Sequence, residues 1–237
     1  MRPNRFQILR DQLAAQGPQK WLDTLLPKLM RLRAELANRD PRDIAEKSGA
    51  TLIDDRTLQL IVWSKAYTIT FPDCSVRDGD GAETRLDRQL LMLMYLTNAD
   101  GAPPANRWLR YRELNGGMFY SHAFHGYAEE RLAKVFHGEP EKFSLAAIRL
   151  GGKLLSFGNS VSFEFVAMPR IRLGAVLWSG DEDFPSSVTI LFDASANHYL
   201  PTDVVGALGS QLVSRLLGVS DDGGETLTAL AVQSPKM

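Results

Sequence analysis

Cysteine is nearly absent from this sequence, because Cys74 is the only one among 237 residues. A single thiol excludes a disulfide scaffold and a zinc site built from four cysteines. An excess of one charge sign is also lacking, since 27 basic and 28 acidic residues leave a net charge of -1. This balance argues against a dedicated nucleic-acid binder. We therefore expect a small-molecule cofactor or a protein as the partner, and no nucleic acid.

Long hydrophobic runs are lacking as well. The most apolar run covers residues 90–96 and is too short to cross a bilayer. Residues 1–5 are basic, but no apolar stretch of signal-peptide length follows them. The sequence therefore predicts a cytoplasmic protein with no membrane partner.

Standard catalytic motifs are missing too. The sequence contains neither a G-x-G-x-x-G fingerprint at a strand-to-helix junction nor a G-x-S-x-G nucleophile elbow. Gly152 and Lys153 are followed by Leu154, where a phosphate-binding loop needs Ser or Thr. No catalytic residue is assigned, and the sequence leaves open whether the protein is an enzyme.

Helical periodicity dominates the first part of the chain. Within residues 4–48, large apolar residues recur at steps of three and four, which is the spacing of a helical stripe. This leucine stripe comprises Trp21, Leu22, Leu25, Leu26, Leu29, Leu32 and Leu36. A separate short helix follows, with Asp40 as N-cap, Pro41 in the first turn and Gly49 after the last turn. The stripe offers a surface for a partner, including a homodimer formed through the N-terminal helices.

From Thr57 the apolar period changes to two, and two strands flanking residues 64–66 predict an antiparallel hairpin. Further strands are predicted at 161–167, 173–178 and 188–192, and further helices at 86–96, 118–137, 142–150 and 202–217. Most of these strands follow one another without a helix between them. The pattern predicts an α+β fold with a mainly antiparallel sheet, packed helices and a helical N-terminal extension. We expect an extension at 1–39, one domain at 40–218 and a loose tail at 219–237.

The predicted helix at 118–137 carries the sharpest group of chemical side chains. In a regular α-helix, His122, His125 and Glu129 would lie within about 60° of one face. Two imidazoles and a carboxylate are suitable ligands for a divalent metal, and one imidazole alone can be an axial ligand of a tetrapyrrole metal. Alternatively, both histidines form hydrogen bonds at the margin of the core while Glu129 pairs with a neighbouring cation.

Leu132 and Phe136 share this arc in a regular helix. Together with Phe119 and Phe124, they predict an apolar cavity large enough for a macrocycle. Tyr120, Trp178 and His198 complete the predicted cofactor-binding set.

An acidic loop, Asp181, Glu182 and Asp183, separates two of the predicted strands and is flanked by Trp178 and Phe184. Adjacent carboxylates can bind a cation or act as an acid–base pair, because their proximity separates their pKa values. The same composition is typical of an exposed turn between strands. Both interpretations remain open at this point.

Several segments together carry a family resemblance. They are residues 91–96, 108–117, 151–152, 180–185, 190–193 and 199–203. Across roughly residues 40–218 the chain resembles an uncharacterised prokaryotic family, domain of unknown function 3786. Asp183 and Asp203 stand where the family pattern has glutamate, which preserves the charge but shortens the side chain. His122 and His125 do not belong to that pattern.

Some members of this family look like fusions to a Cys-rich iron–sulfur module, similar to that of corrinoid iron–sulfur proteins of anaerobic microbes. The resemblance implies a link to corrinoid or other tetrapyrrole metabolism, although Cys74 alone cannot form such a module.

Three hypotheses follow for the function. The first is an accessory protein that holds a corrinoid or haem-like tetrapyrrole, with His122 or His125 on the metal. The second is a metal-dependent enzyme with His122, His125 and Glu129 around a divalent ion and a base from the acidic loop. The third is a protein-interaction module that uses the leucine stripe.

Overall fold

A computed structural model describes residues 17–180 and 186–218 of the protein, with side chains from residue 23 onward. The predictions for residues 4–16, for the side chains of Trp21 and Leu22 and for the tail at 219–237 lie outside this range. The acidic loop of Asp181, Glu182 and Asp183 lies outside it as well, together with Phe184.

Helices occupy the beginning, middle and end of the described chain. They are α1 (Gly17–Ala37), α2 (Pro41–Ser48), α3 (Leu86–Asn98), α4 (Ser121–Phe124), α5 (Glu130–Phe136), α6 (Pro140–Arg149), α7 (Ala196–Tyr199) and α8 (Thr202–Leu216). Two 3-10 turns lie at Tyr111–Glu113 and Gly117–Tyr120, and a π-helical turn at His125–Glu129 joins α4 to α5.

The strands form two antiparallel sheets. The first has the order β1-β2-β3-β4, and the second has the order β5-β9-β8-β7-β6. Their bounds are β1 (Thr51–Asp54), β2 (Thr57–Val62), β3 (Lys65–Thr70), β4 (Ser75–Asp78), β5 (Trp108–Arg110), β6 (Lys153–Leu155), β7 (Ser160–Met168), β8 (Ile171–Trp178) and β9 (Ser187–Asp193). The predicted α+β class with antiparallel pairing is confirmed.

The predicted ends of α2 are confirmed in detail. The side chain of Asp40 accepts a hydrogen bond of 2.9 Å from the backbone N–H of Arg42, and Pro41 lies in the first turn. Gly49 closes the helix with φ of 74°, a backbone conformation that glycine adopts without a Cβ penalty. These local signals therefore fix where the helix begins and ends.

Four members of the leucine stripe of α1 are part of the core, whereas Leu26 is exposed. Leu25, Leu29, Leu32 and Leu36 are buried, and α1 packs against α3. A helix stabilised mainly by its apolar face needs such a neighbour. Because these four leucines are covered within one chain, they are not exposed for a second copy.

Helix α8 lies almost entirely inside the molecule, with most of its residues buried. Its close packing depends on Gly206 and Gly209, where a Cβ atom would come within 3 Å of aromatic rings. On the second sheet, Phe163 of β7 meets Phe143 of α6 with ring centroids 6.0 Å apart. The helices thus cover one face of the five-stranded sheet and fix the position of the segment at 121–136.

No helix within the described ranges is long and apolar enough to cross a membrane.

Candidate functional site

The helix predicted at 118–137 is interrupted by a turn of different geometry. Between α4 and α5, residues His125–Glu129 form a π-helical turn. We call residues 121–136 the π-bulged helix. A π turn contains about one residue more than an α turn, so the residues after it lag behind the regular α-helical register. The predicted common face of His122, His125 and Glu129 assumed that regular register.

The altered register collects the apolar residues of this helix on one side. Phe124, Ala128, Leu132 and Phe136 follow steps of four and are all buried in the core. In a regular α-helix with about 3.6 residues per turn, residues four positions apart rotate progressively away from one face. The extra residue of the π turn brings them back to that face. The predicted apolar cavity is therefore wrong, because Leu132 and Phe136 pack within the core and Phe124 reaches a cleft only from its core side. The fourth predicted member, Phe119, is 88% exposed.

Glu129 has two hydrogen-bonding partners within the protein. His125 Nδ1 donates to Glu129 Oε2 at 2.7 Å, and the backbone N–H of Ile190 donates to Glu129 Oε1 at 2.9 Å. Strand β5 pairs with β9 only over residues 191–193, so the outer edge of β9 faces the π-bulged helix at Ile190. Glu129 thus satisfies a strand-edge donor that would otherwise be buried without a partner.

The predicted metal set is not assembled. Among residues 17–180 and 186–218, no group of three or more His, Cys, Asp or Glu side chains is placed to hold a metal ion. The physical reason is the use of both Glu129 oxygens described above, together with the shift of register between His122 and Glu129. The acidic loop, which was predicted to supply a base, falls outside this range.

His122 and His125 nevertheless open onto a cleft of about 600 Å³, which we call the His cleft. Its polar walls come from three segments: the β5 end, the π-bulged helix and the ends of β8 and β9. The polar and aromatic residues of these walls are Arg110, Arg112, Ser121, His122, His125, Glu129, Trp178, Ser187 and Thr189. Tyr111 and Phe124, whose rings stack 4.5 Å apart, border it from the core side. A cleft of this volume is within the range of small-molecule sites.

The His cleft contains cationic side chains and hydrogen-bond donors that have no partner within the described chain. No hydrogen bond or ion pair joins the side chains of Arg112 or His122 to another residue of the described chain, and both side chains are exposed. The one carboxylate among the described wall residues is Glu129, which already receives two hydrogen bonds. Guanidinium groups are the preferred ligands of carboxylates and phosphates. The cleft is therefore suited to an anionic ligand.

The other predicted cofactor ligands lie in a second cleft. Phe119, Tyr120 and His198 line a cavity of about 700 Å³. His198 Nδ1 donates to Asp100 Oδ2 at 2.6 Å. Burial acts to raise the pKa of Asp100, but this bond and the backbone N–H of Ala102 together lower it below its usual value. The predicted set is thus divided, because Trp178 accompanies His122 and His125 while Phe119, Tyr120 and His198 do not.

Sequence reasoning missed Arg110 and Arg112 as site residues. A partial signal was present in the order Arg-Tyr-Arg, in which two cations flank a large aromatic residue. In an extended segment this alternation would place both cations opposite the ring. Tyr111–Glu113 instead form a 3-10 turn, in which Tyr111 is buried while Arg112 is exposed. The pattern also does not show that the π-bulged helix lies nearby and forms a cleft together with these arginines.

Comparison with curated proteins and with solved structures gives no match. A family model described as "Domain of unknown function (DUF3786)" matches residues 40–215, from α2 to the end of α8. The matched range contains every described residue of the His cleft. The match covers well over half of the chain, which therefore belongs to the DUF3786 family.

Proposed function

We propose that the protein is a cofactor-binding accessory protein and that its His cleft holds a corrinoid or haem-like tetrapyrrole. One observation carries this proposal: His122 is an exposed imidazole, without a partner in the described chain, on the wall of a cleft that also contains two arginines and a tryptophan. An imidazole is a common axial ligand of a tetrapyrrole metal.

The residues of the cleft fit the polar periphery of such a cofactor. Arg110 and Arg112 can form paired hydrogen bonds with the propionates of a haem, or donate to the amide oxygens and the phosphodiester of a corrinoid. Trp178 is partly exposed at the rim, where an indole can stack on a planar ring. His125 donates only Nδ1 to Glu129, at 2.7 Å, and keeps Nε2 for a metal, whereas neither ring nitrogen of His122 has a partner in the described chain. We assign the metal ligand to His122 because both of its ring nitrogens are without a partner at the cleft wall.

The absence of an aromatic enclosure in the described part of the cleft affects the role we propose. Because Phe124, Leu132 and Phe136 belong to the core, a macrocycle would be bound at an open cleft and not enclosed in an apolar cavity. Open binding suits a protein that receives and passes on a cofactor. When bound, a tetrapyrrole supplies a metal centre for ligand exchange or electron transfer.

Titration with hydroxocobalamin and with haemin tests the proposal. Purified protein is mixed with each compound in turn, and the visible spectrum is followed to saturation. We expect a saturable spectral shift with one of them, because replacement of a water ligand by imidazole changes the absorption of the metal centre. The His122→Ala variant should lose this shift.

His198→Ala is the matched control, because it removes an exposed histidine from the second cleft. It should bind as the unmodified protein does. An absent spectral change with both compounds would overturn the proposal. An equal loss in His122→Ala and His198→Ala would also overturn it, since binding would then not depend on the His cleft.

A further inference from the structure

A two-residue turn at the tip of the β2–β3 hairpin adopts an unusual backbone conformation. Trp63 and Ser64 have φ values of 49° and 65°, and Val62 pairs with Lys65 on either side of them. Hairpin turns of this kind favour Asn-Gly, because both positions require positive φ. A bulky residue in this region costs roughly 1–2 kcal/mol. The hairpin itself gives no reason for a tryptophan at this position.

Contacts outside the hairpin hold Trp63 in place. Its backbone N–H donates to Ala167 O at 2.9 Å, and its indole Nε1 donates to Gln211 Oε1 at 2.6 Å. The guanidinium carbon of Arg215 lies 5.1 Å from the ring centroid, which is a cation–π geometry. These contacts anchor the tip of the first sheet to strand β7 and to helix α8. Strained residues that the surroundings hold in this way are concentrated at ligand sites.

A cavity of about 420 Å³ lies against this turn, and we call it the Trp63 groove. Its charged walls are Arg149, Lys153, Glu164 and Arg215. Glu164 Oε1 lies 3.1 Å from Arg172 Nη1, so the one carboxylate among the described residues of the groove is paired. No hydrogen bond or ion pair joins the side chains of Arg149 or Lys153 to another described residue. The groove therefore carries an excess of positive charge.

Placement at helix ends explains part of this charge. Arg149 and Arg215 lie in the last turns of α6 and α8, where cations interact favourably with the helix dipole. Lys153 belongs to strand β6 and has no such role. The helix ends also do not explain why all three cations meet at one concave surface beside a strained tryptophan. A ligand with several negative charges would account for their convergence.

The geometry points to a second ligand site in the Trp63 groove, which binds a compact anion through Arg149, Lys153 and Arg215. Phosphoryl and carboxylate groups share the required chemistry, and the volume is near the lower end for small-molecule sites. The site is separate from the His cleft, because no described residue lines both. The groove lies between the tip of the first sheet, at Trp63 and Ser64, and strands β6 and β7 of the second sheet.

Calorimetric titration with pyrophosphate, inorganic phosphate and citrate tests this site in the full-length protein. The ionic strength is held constant with sodium chloride, because salt screens exposed charges. We expect saturable one-to-one binding of pyrophosphate or citrate, and the preferred probe identifies the phosphoryl or carboxylate class. Lys153→Gln should weaken binding about tenfold, and adding Arg149→Gln should remove it. Both residues are exposed, so folding should be unaffected.

Two controls accompany these variants. Lys134→Gln removes an exposed lysine from the π-bulged helix, and Lys142→Gln removes an exposed lysine from the first turn of α6, the helix that carries Arg149. Both should bind the anion within about twofold of the unmodified protein. Absence of saturable binding with all three probes at millimolar concentrations would overturn the proposal. An equal weakening in Lys134→Gln would overturn it too, because it would reveal a general charge effect.

Discussion

The carboxylate of Glu129 accepts a hydrogen bond of 2.9 Å from the backbone N–H of Ile190, 61 positions further along the chain. This contact joins the π-bulged helix to the outer edge of β9, where β5 no longer pairs. It gives Glu129 a structural role at the base of the His cleft. His125 is oriented by the same carboxylate through a bond of 2.7 Å.

Removing this carboxylate should destabilise the protein. In Glu129→Ala, the N–H of the fully buried Ile190 loses its acceptor, which costs about 1–3 kcal/mol of unfolding free energy. Glu129→Gln retains a carbonyl oxygen and should cost less. Urea denaturation followed by circular dichroism measures both variants.

Glu130→Ala is the control for this comparison. Glu130 neighbours Glu129 in sequence, but its carboxylate is half-exposed and lies 4.0 Å from Lys134 Nζ. Exposed pairs of this kind contribute about 0–1 kcal/mol. If Glu130→Ala and Glu129→Ala shift the urea midpoint equally, the structural role of Glu129 is wrong.

The single thiol provides a clean test of the packing. Cys74 is fully buried, and burial raises the pKa of its thiol to about 11. At pH 8 such a thiol is roughly 0.1% thiolate, and the thiolate is the reactive form. We expect Ellman's reagent to modify the native protein at least a hundredfold more slowly than the protein in guanidinium chloride. A native rate within tenfold of the denatured rate would contradict the burial of Cys74.

Much of the fold is predictable because long elements repeat their period several times. Strands β7, β8 and β9 have seven to nine residues each, and their alternation locates them to within a few residues. Helix α8 is bounded by Pro201 before it and Gly218 after it. Strands β1, β4 and β6 are three or four residues long and show too few repeats to be recognised. The division into two sheets was missed for that reason.

The site was less predictable, because it depends on where separate elements meet. The structure brings His122, His125 and Trp178 to one cleft, but the assumption of a regular helix placed Leu132 and Phe136 on the same face. No residue pattern in the sequence marks a π turn. Arg110 belongs to a strand of three residues, and only the tertiary fold brings it to the His cleft.

The buried hydroxyl of Tyr95 in α3 joins this helix to α2 and to the turn between β7 and β8. Tyr95 Oη donates to Ser48 O at 2.5 Å and accepts from the backbone N–H of Arg170 at 3.1 Å. Tyr95→Phe should therefore lower the unfolding free energy by about 1–3 kcal/mol, since two backbone groups lose their partner. Tyr67→Phe is the control, because the Tyr67 hydroxyl accepts from the flexible side chain of Arg88. Equal midpoints for both variants in thermal unfolding would contradict the role of Tyr95.

Helix α8 packs closely against the aromatic residues below the His cleft. We therefore expect glycine-to-alanine substitutions to lower the stability at this contact and to raise it at an open position. A Cβ atom at Gly209 would lie 2.8 Å from Phe124 Cζ, and one at Gly206 would lie 2.7 Å from Tyr111 Cε2. Gly209→Ala and Gly206→Ala should each destabilise the protein by about 1–3 kcal/mol through overpacking. Both should also shift the tyrosine and phenylalanine signals in the near-ultraviolet circular dichroism spectrum, because Tyr111 and Phe124 must move.

Gly126→Ala is the same chemical change at an open position. A Cβ atom there meets nothing within 4 Å, and its backbone does not require positive φ. Alanine restricts the unfolded chain and favours helical geometry, so this variant should gain about 0.5–1 kcal/mol. Unfolding in urea should thus move to lower midpoints for Gly206→Ala and Gly209→Ala and to a higher midpoint for Gly126→Ala. Destabilisation by Gly126→Ala equal to that of Gly209→Ala would show that general helix effects, and not the contact between α8 and Phe124, determine the result.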